Sequence, residues 1–192
     1  MRRLIPTLSI ALVVLGTVGA PAWATPNLRS ELLPLAQMPA GWSQQANTSG
    51  GGVGCLSHVL EPRGLRPTAR AEATFDANQG LPELDEVLAT YSVPVGKAFN
   101  RVVAVLDACH QVAGKSGTRK VTGTVGPMSF PRYGNKSAAF EVSLTVGGIT
   151  LDEDVLVARR HDVVLGLSEG TVGAPSLRQF ERFARAAVAK LG

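Results

Sequence analysis

Residues 137–158 read SAAFEVSLTVGGITLDEDVLVA, two runs of alternating side chains on either side of Gly147-Gly148. A glycine pair between such runs forms a two-residue hairpin turn, because its central positions need positive φ. The turn sets a register. Val146 then faces Ile149, Leu144 faces Leu151 and Phe140 faces Val155 on one side of the sheet. On the other side Ser143 faces Asp152 and Glu141 faces Asp154. Strands joined by so short a turn are antiparallel, so an antiparallel sheet is the expected frame.

Working outward, strand signals recur in TARAEATF (68–75), TRKVTGTV (118–125) and DVVLGLSE (162–169). In the first, Ala69, Ala71, Ala73 and Phe75 alternate with Arg70, Glu72 and Thr74, one face buried and one wet. Helical signals fill the rest. LRSELLPLAQ (28–37) reads as a short helix broken near Pro34. In LPELDEVLATY (81–91), Pro82 suits a first helical position, and Glu83, Asp85 and Glu86 in the opening turn complement the helix dipole. In GKAFNRVVAVLDACHQV (96–112), Phe99, Val102, Leu106 and Cys109 form an apolar stripe that turns Cys109 inward.

The final segment PSLRQFERFARAAVAKL (175–191) offers Ser176 and Gln179 as a capping box, with Leu177, Phe180, Ala184, Ala187 and Leu191 facing inward. The expected order is helix, strand, two helices, four strands, helix. This defines an α+β fold, an antiparallel sheet of about five strands with helices packed on it.

The N-terminus, MRRLIPTLSIALVVLGTVGAPAWA, pairs two arginines with an apolar run and the small-residue pattern Ala22-Trp23-Ala24. This is a secretory signal peptide, residues 1–24, cleaved after Ala24. The run is shorter than the roughly 20 residues a bilayer span needs, and no later segment is apolar enough to span. The expectation is one exported α+β domain over residues 25–192, secreted or associated with the cell envelope, with no stable membrane span after cleavage. A chain of this size buries roughly two thirds of its unfolded surface. The net charge of +4 includes Arg2 and Arg3 and is too small to argue for nucleic acid. Only 5% of residues are aromatic, with no basic and aromatic interleaving for base stacking.

Cys55 and Cys109 are the only cysteines. Cys55 lies too far past Ala24 to carry the lipid of a lipoprotein. A zinc site from Cys55, His58, Cys109 and His110 fails because adjacent helical residues point in different directions. Two cysteines in an exported chain pair with each other, and this disulfide is worth about 4 kcal/mol in the chain-entropy model. GLSEG (166–170) matches the nucleophile elbow G-x-S-x-G, yet no helix follows Ser168 directly and no histidine lies downstream. Neither an enzyme nor a cofactor or metal is expected.

The hairpin register also gathers carboxylates. Glu141, Asp152 and Asp154 fall together on one face, and like charges placed opposite are unfavourable unless a cation sits between them. They form a candidate ligand or cation patch, with Arg119 or Lys120 as neutralising neighbours in the bland alternative. Glu153 falls on the apolar face beside Val142, where a carboxylate at a cavity mouth is a candidate binding residue. Arg178, Arg182, Arg185 and Lys190 form a basic outer face on the last helix, able to lean on an anionic polymer.

The segments LLPLAQMPAGW, LPELDEVLATY, the helix ending at Cys109, ARRHDVVLGL and FERFARAAVAKL together resemble the extracellular sensor domain of mycobacterial receptor serine/threonine kinases. They also resemble PsbP-like lipoproteins within a set of actinobacterial exported proteins. The resemblance implies helices flanking an antiparallel sheet, a ligand-binding cleft and no catalysis. The chain departs from those sensors in having one possible disulfide where they usually have two, and no attached spanning helix or kinase. The functional expectation is a non-enzymatic, sensor-like binding module of the cell envelope, holding a small molecule or lipid in a cleft. The alternative is an envelope interaction protein that docks a partner protein or anionic polymer through its surface.

Overall fold

The computed structural model describes residues 27–46, 52–57, 59–77 and 80–192. Residues 1–24, expected to be a signal peptide, and His58 lie outside the described residues. The Gly147-Gly148 hairpin joins β6 (Lys136–Val146) to β7 (Ile149–Arg160), with Val146 opposite Ile149 and Glu141 opposite Asp154. Both glycines have positive φ, 61° and 87°, as the turn demands.

The expected sheet of about five strands is corrected, among the described residues, to a single sheet of eight in which each pair of neighbouring strands is antiparallel. The other strands are β1 (Trp42–Gln45), β2 (Pro67–Ala77), β3 (Glu83–Tyr91), β4 (Gln111–Ser116), β5 (Arg119–Pro127) and β8 (Val163–Val172). Their order is β1-β2-β3-β8-β7-β6-β5-β4. Two meanders, β1 to β3 and β4 to β8, therefore join where β3 pairs with β8. Among the described residues three α-helices accompany them: α1 (Leu28–Glu31), α2 (Val95–Ala108) and α3 (Leu177–Lys190).

Three strands escaped the sequence pattern, each for a physical reason. Residues 83–91 form a strand because Leu84 and Leu88, four apart, satisfy a helical stripe and a strand face equally well. The pairing on both sides, to β2 and β8, decides in favour of the strand. β1 is polar apart from Trp42, whose ring meets Phe183 edge-on at 5.4 Å. β4 begins where the second helix was expected to continue. The chain leaves the helix at Cys109, and Val112 buries against the sheet cluster.

Each face of the sheet carries its own core. On one face α3, α1 and the segment that follows α1 pack Phe180, Phe183, Leu28 and Leu33 against Phe75, Leu84, Leu156 and Leu165. On the other α2 lays Phe99, Val102, Leu106 and Cys109 over Val125, Phe140, Val142 and Val157. Each such fully buried side chain contributes about 1.5–3 kcal/mol.

Two details of α3 differ from expectation. Ser176 occupies the N-cap position without a side-chain cap bond, and Gln179 instead donates to Glu169 at 2.6 Å. Leu177 is 52% exposed, and Phe183 takes an inward place.

Candidate functional site

On the α2 face, a cleft of about 700 Å³ opens between the sheet and residues 52–57 and 59–61. These residues form a roof, and three attachments hold it. Cys55 is bonded to Cys109 at the end of α2, with a Cα separation of 5.8 Å. The Tyr91 hydroxyl donates to the Leu60 carbonyl at 2.7 Å, and burial pushes its pKa up to about 12. Arg70 bridges Glu61 on the roof and Glu72 on β2 at 3.0 and 2.9 Å.

Glycine lets the roof lie close. Gly54 has φ of 60°, and a Cβ there would stand 2.7 Å from the Ala113 carbonyl oxygen of β4. Only glycine meets both conditions without displacement of the strand.

The cleft has two chemically different ends. Val53, Leu56, Leu60 and Leu106 wall it above, over Val142, Val155 and Val157 of the sheet. Beyond them Glu83 and Asp85 from β3, Glu153 from β7 and Ser168 from β8 also line it. The strand pairing assembles this polar end, since Asp85 stands opposite Ser168 and Gly170 lies between Glu83 and Glu153.

Burial, then the neighbouring Asp85, pushes Glu83 up to about 7. Glu153 is also raised, chiefly by burial, while its hydrogen bond with Ser168 acts the other way. The Thr74 hydroxyl donates to Asp85. The polar end therefore holds one carboxyl, Glu83, that titrates near neutrality, and together with Glu153 and Asp85 it presents hydrogen-bond acceptors to whatever enters.

The sequence-derived candidates divide between the two faces. Glu153 stands opposite Val142 and lines the cleft. Glu141, Asp152 and Asp154 lie on the opposite face, with Ser143 donating to Asp152 at 2.7 Å. Among the described residues neither Arg119 nor Lys120 forms an ion pair with that patch. Both lie at the start of β5, and Arg119 borders the Gly147 turn. Arg178, Arg182 and Arg185 are exposed along α3.

Ser168 sits within β8, so GLSEG is no strand-to-helix elbow here. Both thiols of the imagined zinc set are consumed by the disulfide. Among the described residues no three His, Cys, Asp or Glu side chains group to hold a metal ion.

Glu83 and Asp85 are the site residues that sequence reasoning missed. Their alternation with Leu84 and Glu86 was the available signal, and the helical reading of 81–91 concealed it.

An antiparallel sheet with helices on both faces and an open cleft under a stapled loop is the class of fold defined here. It is similar to the crystal structure of the extracellular domain of PknH from Mycobacterium tuberculosis, with a TM-score of 0.55 and 9% sequence identity. The match covers 78% of this chain and 76% of that one. The likeness is one of fold. No family model matches the chain, and no curated protein does. Among the described residues no helix is long and apolar enough to cross a membrane.

Proposed function

We propose that this protein is a sensor-like, non-enzymatic binding module that works outside the cytoplasm and holds an amphipathic small molecule or lipid in the α2-face cleft. The observation that carries the reading is the cleft itself, a volume within the range of ligand pockets. Its apolar wall suits a hydrocarbon portion, and Glu153, Asp85 and Ser168 suit a group that donates hydrogen bonds. The disulfide and the fold shared with an extracellular domain support the compartment.

Gly170 provides the test. It lines the cleft, and a Cβ there would have no heavy atom within 4 Å, so Gly170→Phe fills the cleft with little strain. Titration with the uncharged apolar dye Nile red is expected to show saturable fluorescence enhancement in the native chain, and at least a tenfold loss in Gly170→Phe at unchanged melting temperature. Equal dye binding by both proteins would remove the cleft as the site.

A further inference from the structure

The sheet face opposite the cleft carries a second depression, of about 520 Å³, below the start of α3. Its floor is acidic by register, lined by Glu141, Asp152 and Asp154. Asp154 of β7 stands directly opposite Glu141 of β6 on one side and Glu169 of β8 on the other, and Asp152 lies two residues along β7. Directly opposed side chains have Cβ atoms about 5 Å apart, so like charges there repel.

Hydrogen bonds answer only part of this demand. Gln179 donates to Glu169 Oε1 and Ser143 to Asp152. Asp154 lines the depression while only 5% exposed, and its Oδ2 has no hydrogen-bond partner. Glu169 beside it is 1% exposed with Oε2 likewise unpartnered. A buried carboxylate oxygen without a donor is costly, and native structures seldom leave one so. Arg182 acts on Glu169 by its charge, yet forms no ion pair with it among the described residues.

The rim has the opposite character. Ala174, Pro175 and Leu177 border the depression, and Leu177 and Val172 are among the exposed large apolar side chains.

We propose that this depression binds an amphipathic organic cation, its ammonium or guanidinium group seated on Asp154 and Glu141 and its aliphatic stem lying against Pro175 and Leu177. A charged head on a carboxylate with a stem along apolar surface is how long basic side chains are themselves accommodated. A bare metal ion would use the carboxylates alone, and they are not grouped as metal ligands. The site is separate from the cleft, with the sheet between them.

The probes are n-butylammonium and n-butylguanidinium, titrated at pH 8 into the folded, ¹⁵N-labelled chain and followed by amide chemical shifts, with Ca²⁺ as competitor. The expected result is saturable shifts at Gly126, Asp154 and Leu177 that Asp154→Asn weakens at least tenfold. Gly126 faces Glu141 on this side of the sheet, and a Cβ there meets no heavy atom within 4 Å. Gly126→Lys therefore places an ammonium of the chain's own over the acids and is expected to abolish binding. Gly170→Phe, on the other face, is expected to leave it unchanged.

Absence of saturation, retained binding in Gly126→Lys, or loss of binding in Gly170→Phe would overturn the proposal. So would displacement of the probes by Ca²⁺ at lower concentration. Should Asp154→Asn fail to fold, Gly126→Lys decides.

Discussion

The Leu33 amide donates to the Glu86 carboxylate at 2.7 Å, and Glu86 is wholly buried between the sheet and the segment that follows α1. Its other oxygen has no partner. Burial pushes the Glu86 pKa up to about 7, against the opposing effects of the Leu33 bond and the Lys190 charge. The single bond therefore anchors the N-terminal segment through a group that holds its proton near neutrality. Glu86→Ala leaves the Leu33 N–H without an acceptor and is expected to cost about 1–3 kcal/mol at pH 5. The cost should be smaller at pH 8, where the native chain bears a buried charge that the variant lacks. Denaturant unfolding at the two pH values checks this, and a larger cost at pH 8 would contradict it.

Stability as a whole should decline as pH rises through the neutral range. Glu86 and Glu169 are raised to about 7 and Asp154 to about 6, each mainly by burial. In the unfolded chain such groups release their protons near pH 4. Between there and pH 7 the folded state binds more protons than the unfolded one, so each step up in pH favours unfolding. The melting temperature is expected to fall by about 5–10 °C between pH 4.5 and 7.5 and then level off. A rise over that interval would show that these carboxyls are ionised in the fold at low cost.

The roof depends on its staple. Reducing the Cys55–Cys109 bond is expected to lower stability by about 4 kcal/mol in the chain-entropy model and to speed hydrogen exchange at residues 53–57 before the sheet opens. Gly54→Ala, with positive φ and a carbonyl in the way, should have a related effect of about 1–2 kcal/mol. Exchange that is uniform across roof and sheet would mean that the roof is held by packing alone.

The core beneath α3 is a further point of attack. Phe180 is wholly buried and its ring lies 5.2 Å from that of Phe130. Phe180→Ala is expected to cost about 3–5 kcal/mol, whereas Val172→Ala, at an exposed position, should stay within about 0.5 kcal/mol. Equal costs would place the core elsewhere.

The parts of this fold that short-range rules govern could be read from the residues. The Gly147-Gly148 turn dictates the β6–β7 register, and with it the placing of Glu141 opposite Asp154 and of Glu153 opposite Val142. The stripe through Phe99, Val102 and Leu106 likewise points α2 at the sheet. What long-range pairing decides was hidden. Leu84 and Leu88 fit helix and strand alike, and only β2 and β8 on either side make 83–91 a strand and bring Asp85 to Ser168. β1 has almost no apolar pattern, because its Ser43 and Gln45 are there to donate to Asp76. Gln179 has capping chemistry, but the buried Glu169 beside it is the better acceptor.

The most direct measurement on the cleft is native mass spectrometry of the chain recovered from its own culture medium, beside the Gly170→Phe variant prepared identically. The expected result is a non-covalent adduct of small-molecule mass on the native chain and a bare variant ion at the protein's own mass. A bare ion from both proteins, or the same adduct on both, would contradict the assignment of the α2-face cleft as a ligand site.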